Sequence, residues 1–131
     1  MVIDASALVA IADEEPDAEL FLEVFSRGDD YVMSSINAVE AGLILVGRGR
    51  LEGVDALNGW LSELRIDVEI AAPTHSAALA AYLTYGRNYH PARLNLADCF
   101  AYALAKQLNA PLLYKGDDFA KTDVRSALQP T

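Results

Sequence analysis

The chain has 131 residues, 53% of them hydrophobic and 22% charged, which describes one globular domain over residues 1–131 and excludes a disordered tail or a fibrous repeat. A single cysteine excludes an internal disulfide and fits a reducing compartment. The formal charge of −9 argues against broad electrostatic attraction to nucleic acid, though not against a local basic patch.

In chain order, Val2-Ile3 is a short buried strand. Asp4 interrupts the apolar run at once, so neither a signal peptide nor a membrane span is expected and the protein is expected in the cytoplasm. Ser6 to Ala12 reads as a helix with Leu8 and Ile11 on one face. Pro16 suits the first turn of a second helix, with Leu20, Phe21, Val24 and Phe25 as its apolar stripe and Gly28 as its stop. Tyr31 to Met33 is the second strand, followed by a helix over Ser35 to Val46 that Gly47-Arg48-Gly49 breaks. Leu51 to Leu64 is helical, with Leu57, Leu61 and Leu64 at helical spacing beside Trp60. Val68 to Ala71 is the third strand, and Thr74 caps a helix that runs to Tyr85. His75 is a surface residue at that helix start. Gly86 to Arg93 is a loop, Leu96 to Leu108 a helix with Cys99 as a small core residue, and Leu112 to Tyr114 the fourth strand before a loop and tail. The order βααβααβααβ implies an α/β fold, an open parallel sheet flanked by helices on both faces.

Four apolar stretches run into acids: Val2-Ile3 into Asp4, Tyr31 to Ser35 toward Glu40, Leu94 to Ala97 into Asp98, and Leu112 to Tyr114 into Asp117-Asp118. Parallel strands gather their carboxyl ends along one sheet edge, where ligands bind. Each acid has a plain structural alternative. Asp4 suits an N-cap, and Asn37-x-x-Glu40 and Asn95-x-x-Asp98 resemble capping boxes. Capping accounts poorly, however, for an acid on an apolar stripe, and Glu40 falls in line with Ile36, Leu43 and Ile44, as Asp98 does with Leu94, Ala101, Tyr102 and Ala105. A buried carboxylate must be paired, protonated or bound to metal, so a divalent cation such as Mg²⁺ is the economical reading. A phosphoacceptor receiver domain needs paired acids after the first strand, and an Asp-x-Asp phosphatase needs an acid where Ser6 stands.

The segments VIDASAL (Val2 to Leu8), SSINAVEAGLIL (Ser34 to Leu45), HPARLNLADCFAYALA (His90 to Ala105) and LLYKGDDFAKTDV (Leu112 to Val124), in this order and at these spacings, resemble the PIN-domain ribonuclease toxins of the VapC type. The resemblance implies a PIN fold and an endoribonuclease dependent on Mg²⁺, for which Mn²⁺ can substitute. It also implies a VapB-type antitoxin that blocks the site, and dimers. Carried over residue by residue, the site is Asp4, Glu40, Asp98 and an acid of the Lys115 to Asp118 turn, Asp117 first and Asp118 as the alternative, with Ser6 in support. Hydrolysis by water would leave 5′-phosphate and 3′-hydroxyl ends. A degenerate PIN module that only binds a partner is the non-enzymatic alternative.

Arg87, His90, Arg93, Lys115 and Lys121 flank the last two acids and are candidates for a positive rim against RNA. Leu20, Phe21, Val24 and Phe25 with Leu43, Leu57, Trp60 and Leu61 offer more large apolar surface than a small core absorbs, which suits a groove for an antitoxin segment. Self-association is expected through the Leu79 to Tyr85 helix and the helix after Asn95. There Ala77, Ala78, Ala80, Ala81, Ala101, Ala103 and Ala105 permit close approach and Tyr82, Tyr85 and Tyr102 supply anchors, unless these alanines pack within the monomer.

Overall fold

The computed structural model describes residues 1–69 and 73–128. Strands β1 (Val2–Ile3), β2 (Tyr31–Ser34), β3 (Ile66–Glu69) and β4 (Leu112–Leu113) form a wholly parallel sheet in the order β3-β2-β1-β4. Between them run α1 (Ala5–Ala12), α2 (Ala18–Val24), α3 (Ser35–Gly47), α4 (Val54–Glu63), α5 (His75–Tyr85) and α6 (Leu96–Leu108). A short 3₁₀ turn, Phe119–Lys121, follows β4.

Strands β1 and β4 can be short and wholly apolar because both faces of the sheet are covered there, whereas the edge strand β3 carries Asp67 and Glu69. Successive side chains alternate between those faces. Ile3, Tyr31, Met33, Ile66 and Leu113 join Leu8, Phe21, Val24, Ala41 and Leu61 in a core under α1 to α4. Val2 and Leu112 join Ala81, Cys99, Ala101, Leu104 and Ala105 in a second core under α5 and α6. From β1 the chain crosses to β2 on one side, and β4 returns to the other side of β1. The carboxyl ends of β1 and β4 therefore flank a switch point, where a crevice opens.

Several boundaries differ from the sequence reading. Helix α4 begins at Val54 rather than Leu51, because Gly53 is extended and residues 51–53 are not helical. Strand β3 begins at Ile66 rather than Val68: Arg65, with φ of +59°, ends the helix and turns the chain directly into the sheet, where Ile66 pairs with Tyr31. The expected strand residues Ile70 and Ala71 lie outside the described residues. The tail is more than a loop, since the Leu112 N–H donates to the Arg125 carbonyl and the Ala127 N–H to the Leu112 carbonyl, each at 2.9 Å, closing the β4 edge.

The two apolar stripes also resolve differently. Phe21, Val24 and Leu61 are core residues, and Phe25, Leu57 and Trp60 pack half-buried against them, so of the expected groove only Leu20 and Leu43 stand exposed. Ala78, Ala81, Ala101, Ala103 and Ala105 are buried, and the Tyr85 and Tyr102 rings meet at 5.3 Å. These residues join α5 to α6 inside the monomer, whereas Ala77 is half-buried and Ala80 exposed. The large apolar side chains left exposed there are Leu79, Leu83, Tyr89 and Leu96.

Candidate active site

Asp4 follows β1 by one residue, and its backbone N–H donates to the Leu113 carbonyl at 2.9 Å. Its Oδ2 accepts the Ser6 N–H at 3.0 Å, which caps α1, and the Ser6 hydroxyl at 2.6 Å. The same Ser6 oxygen accepts the Lys115 N–H at 2.9 Å, so one hydroxyl ties the exits of β1 and β4 together and fixes the acid between them. Asp4 is only 2% exposed, and its Oδ1 is buried with no hydrogen-bond partner. An orphaned carboxylate oxygen of this kind costs stability unless a cation or proton meets it.

Glu40 is not a cap. Ser34 caps α3 by accepting the Asn37 N–H at 3.1 Å, and the Asn37-Glu40 capping box weighed as the structural alternative does not form. The face of α3 that enters the core is Asn37, Ala38, Ala41 and Leu45, whereas Leu43 is 71% exposed. Glu40 therefore stands half-buried at the border of that face, not on a buried stripe with Leu43. Asp98 does form a capping box: Asn95 Oδ1 accepts the Asp98 N–H at 2.8 Å, and Asp98 Oδ2 accepts the Asn95 N–H at 3.0 Å. Leu94, Ala101 and Ala105 are buried along its stripe, as the periodicity predicts. For Asp4 and Asp98, capping and membership of the site coexist.

Asp4, Glu40 and Asp98 line one crevice of about 260 Å³ together with Ser6, Ile44, Arg48 and Lys115. Burial raises the pKa of Asp4. Burial, then repulsion from Asp4 and Asp98, pushes Glu40 up to about 7. Burial followed by the charges of Asp4 and Asp118 pushes Asp98 up to about 6, against the opposing pull of the Asn95 N–H and Arg87. These are the signatures of carboxylates crowded without a counter-charge. Of the two turn acids, Asp118 is the one whose charge acts on Asp98; both Asp117 and Asp118 are exposed and neither lines the crevice. Among the described residues no three acids converge closely enough to cage an ion unaided. Mg²⁺ does not require that, because it keeps several waters and binds through one or two carboxylates.

The cations divide into two groups. Lys115 Nζ pairs with Glu15 and, at 3.1 Å, with Asp17; Arg48 and Arg50 share Asp13. Arg87, Arg93 and Lys121 are exposed, and the charge of Arg87 reaches Asp98. His90 is committed to its loop, since Nδ1 accepts the Ala92 N–H at 2.9 Å and its ring meets Tyr85 edge-on at 4.9 Å. Sequence reasoning missed Arg48, which reaches the crevice from the break after α3, and it read Asn37 only as a cap. Asn37 is fully buried and donates through Nδ2 to the Ala97 carbonyl at 2.9 Å. A polar residue one turn before Glu40 on the inward face was the available signal.

On the opposite side of α3 lies an apolar groove of about 730 Å³ between α3 and α4. Val39, Leu43 and Val54 line it and are 58%, 71% and 74% exposed. An apolar face of this kind on a small protein marks an interaction surface.

Comparison with known proteins agrees with this architecture. The PIN domain family profile matches residues 1–125. The chain is 43% identical to Ribonuclease VapC30 of Mycobacterium tuberculosis over 131 residues, covering 99% of this chain and 100% of that one. It is 42% identical to Ribonuclease VapC of Mycolicibacterium smegmatis, covering 95% and 97%. Among solved structures, a toxin-antitoxin complex from Klebsiella pneumoniae superposes with a TM-score of 0.70 at 14% identity over 99% of this chain and 98% of its own. The sarcin-ricin loop cleaving toxin VapC20 of Mycobacterium tuberculosis superposes at 0.66 and 16% over 95% and 98%. These last two likenesses concern the fold.

Proposed function

This chain belongs to the PIN domain family, and we propose that it is a VapC-type ribonuclease toxin, one domain over residues 1–131, that hydrolyses RNA phosphodiesters with a divalent cation. The observation that carries the reading is the buried, partnerless Oδ1 of Asp4 in a crevice shared with two further carboxylates that repel it and each other. Mg²⁺, with Mn²⁺ as substitute, fits this donor set: hard carboxylate oxygens, negative charge in excess, and room for water. Asp4, Glu40 and Asp98 would hold it, with an acid of the Asp117-Asp118 turn beside them, and the field of Asp118 at Asp98 favours Asp118. When bound, such an ion stabilises charge on phosphoryl oxygens and acidifies water.

The chain's own residues do the rest. Ser6 locks the rotamer of Asp4 through Oδ2 and leaves Oδ1 without a protein partner, while Asn95 fixes Asp98 through the capping box. Arg87, Arg93 and Lys121 receive flanking RNA phosphates, and His90 shapes the loop that presents Arg87 and Arg93. Lys115 and Arg48 stand at the crevice mouth, held outward by Glu15, Asp17 and Asp13, so they leave the acids free. Attack by water gives 5′-phosphate and 3′-hydroxyl ends. The α3–α4 groove takes an amphipathic segment of a VapB-type antitoxin. No described helix is long and apolar enough to cross a membrane. The RNA acted on is cytoplasmic.

Incubation of total RNA with the purified protein, with Mg²⁺ or with a chelator, tests the reading, and sequencing of the cleaved ends tests the end chemistry. Cleavage unaffected by the chelator, or 2′,3′-cyclic ends, would overturn it.

A further inference from the structure

We infer that Asn37 is a positioning residue for the acid cluster: its buried carboxamide ties the helix that carries Glu40 to the turn that carries Asp98. The inference rests on the reading of the crevice as a metal centre.

Asn37 is 0% exposed, and a buried amide persists only when its polar atoms are met. Here each partner is a structural landmark. Nδ2 donates to the carbonyl of Ala97, the residue immediately before Asp98, at 2.9 Å. Oδ1 accepts the hydroxyl of Ser34, the last residue of β2, and that hydroxyl oxygen in turn accepts the Asn37 N–H at 3.1 Å. One side chain thus joins the end of β2, the first turn of α3 and the first turn of α6. Glu40 lies one helical turn beyond Asn37 along α3.

The two helices reach the crevice from different crossovers, α3 after β2 and α6 before β4. No backbone pairing of the sheet fixes one helix against the other. Apolar packing between two helices tolerates sliding, whereas a hydrogen bond of fixed length and direction does not. A shift of an ångström between α3 and α6 would change the Glu40 to Asp98 separation by a similar amount, and partners that orient metal-binding carboxylates govern affinity in this way.

Asn37→Leu keeps the branched shape of the side chain, with bulkier methyl ends, and removes both hydrogen bonds. Mn²⁺ affinity of the folded protein, read by electron paramagnetic resonance well below the melting temperature, is expected to fall about 10- to 100-fold. In the RNA assay kcat should fall while KM stays within about twofold, because the surface cations are untouched. Leu104→Ala, a core truncation in α6, serves as the control and should lower the melting temperature without moving Mn²⁺ affinity. If Asn37→Leu does not fold, Asn37→Ser takes its place, since its shorter hydroxyl cannot span Ser34 and Ala97 together. A folded Asn37 variant that binds Mn²⁺ as the unaltered protein does overturns the inference. Absence of Mn²⁺ binding by the unaltered protein would instead overturn the metal-centre reading beneath it.

Discussion

Two carboxylates in the crevice hold protons into the neutral range, Asp98 to about 6 and Glu40 to about 7. The folded protein therefore binds more protons than the unfolded chain between the ordinary carboxylate range and neutrality. The resulting stability is full below the unfolded values of 3.8 and 4.5 and is lost as pH rises through about 6 and about 7. Metal-free protein should melt at a lower temperature at pH 8 than at pH 5, and Glu40→Gln should flatten part of that slope. Equal slopes for the two proteins in differential scanning fluorimetry would contradict the assignment. Added Mg²⁺ should reverse the trend, raising the melting temperature more at pH 8, where the acids are ionised. Asp4→Asn and Asp98→Asn should each abolish cleavage while leaving metal-free stability equal or higher, because each removes a repelling charge and Asn caps a helix about as well as Asp. A role confined to capping predicts the opposite for removal of the cap, a loss of about 1 kcal/mol with chemistry intact. Of the turn acids, Asp118→Asn should cut activity more than Asp117→Asn.

At the scale of elements, the end of α5 has a steric requirement. A Cβ built on Gly86 would stand 2.3 Å from the Tyr82 carbonyl oxygen and 2.8 Å from its ring, although the backbone φ of −69° suits any residue. The constraint is space, so Gly86→Ala should cost about 1–3 kcal/mol by forcing the helix end outward. It should also displace Arg87, whose N–H is bonded to the Leu94 carbonyl at 3.0 Å. Urea denaturation measures the cost, and the RNA KM reports the displacement. The α3–α4 groove makes a separable prediction. Leu43→Asp or Val54→Asp places a charge in an exposed apolar lining remote from the acids, so nuclease activity should persist while inhibition by the cognate antitoxin is lost.

For the whole molecule, an acidic chain that acts on RNA must compensate for unfavourable long-range repulsion. Two copies placing their crevices in one groove would let a strand contact both. With Ala78, Ala81, Ala101, Ala103 and Ala105 buried inside the monomer, the large apolar side chains available for such a contact are Leu79, Leu83, Tyr89 and Leu96, 51–66% exposed. Leu79 and Leu96 border a depression that Arg87 and Asn95 share, next to Asp98. Leu79→Asp should convert a dimer to a monomer in sedimentation equilibrium and lower activity. A strictly monomeric unaltered protein with full nuclease activity at micromolar concentration would sink the proposal.

The sequence alone determined the order of strands and helices, the parallel sheet and three of the acids that meet, because apolar periodicity and strand-end acids are local signals that a parallel fold converts into one edge. Its errors fell where local pattern is silent. Whether Phe21 and Val24 face a partner or the core, and whether the α5 and α6 alanines face a second copy or each other, depends on which element packs above them. The stripe through Leu43 read as buried because periodicity reports that a face is apolar, not what covers it. Only the tertiary structure decided that Lys115 is claimed by Glu15 and Asp17 and that Asn37, rather than its neighbour Ala38, reaches Ala97. Each is a contact across dozens of residues or a choice between neighbours, set by helix placement on the sheet, a quantity that spacing along the chain does not contain.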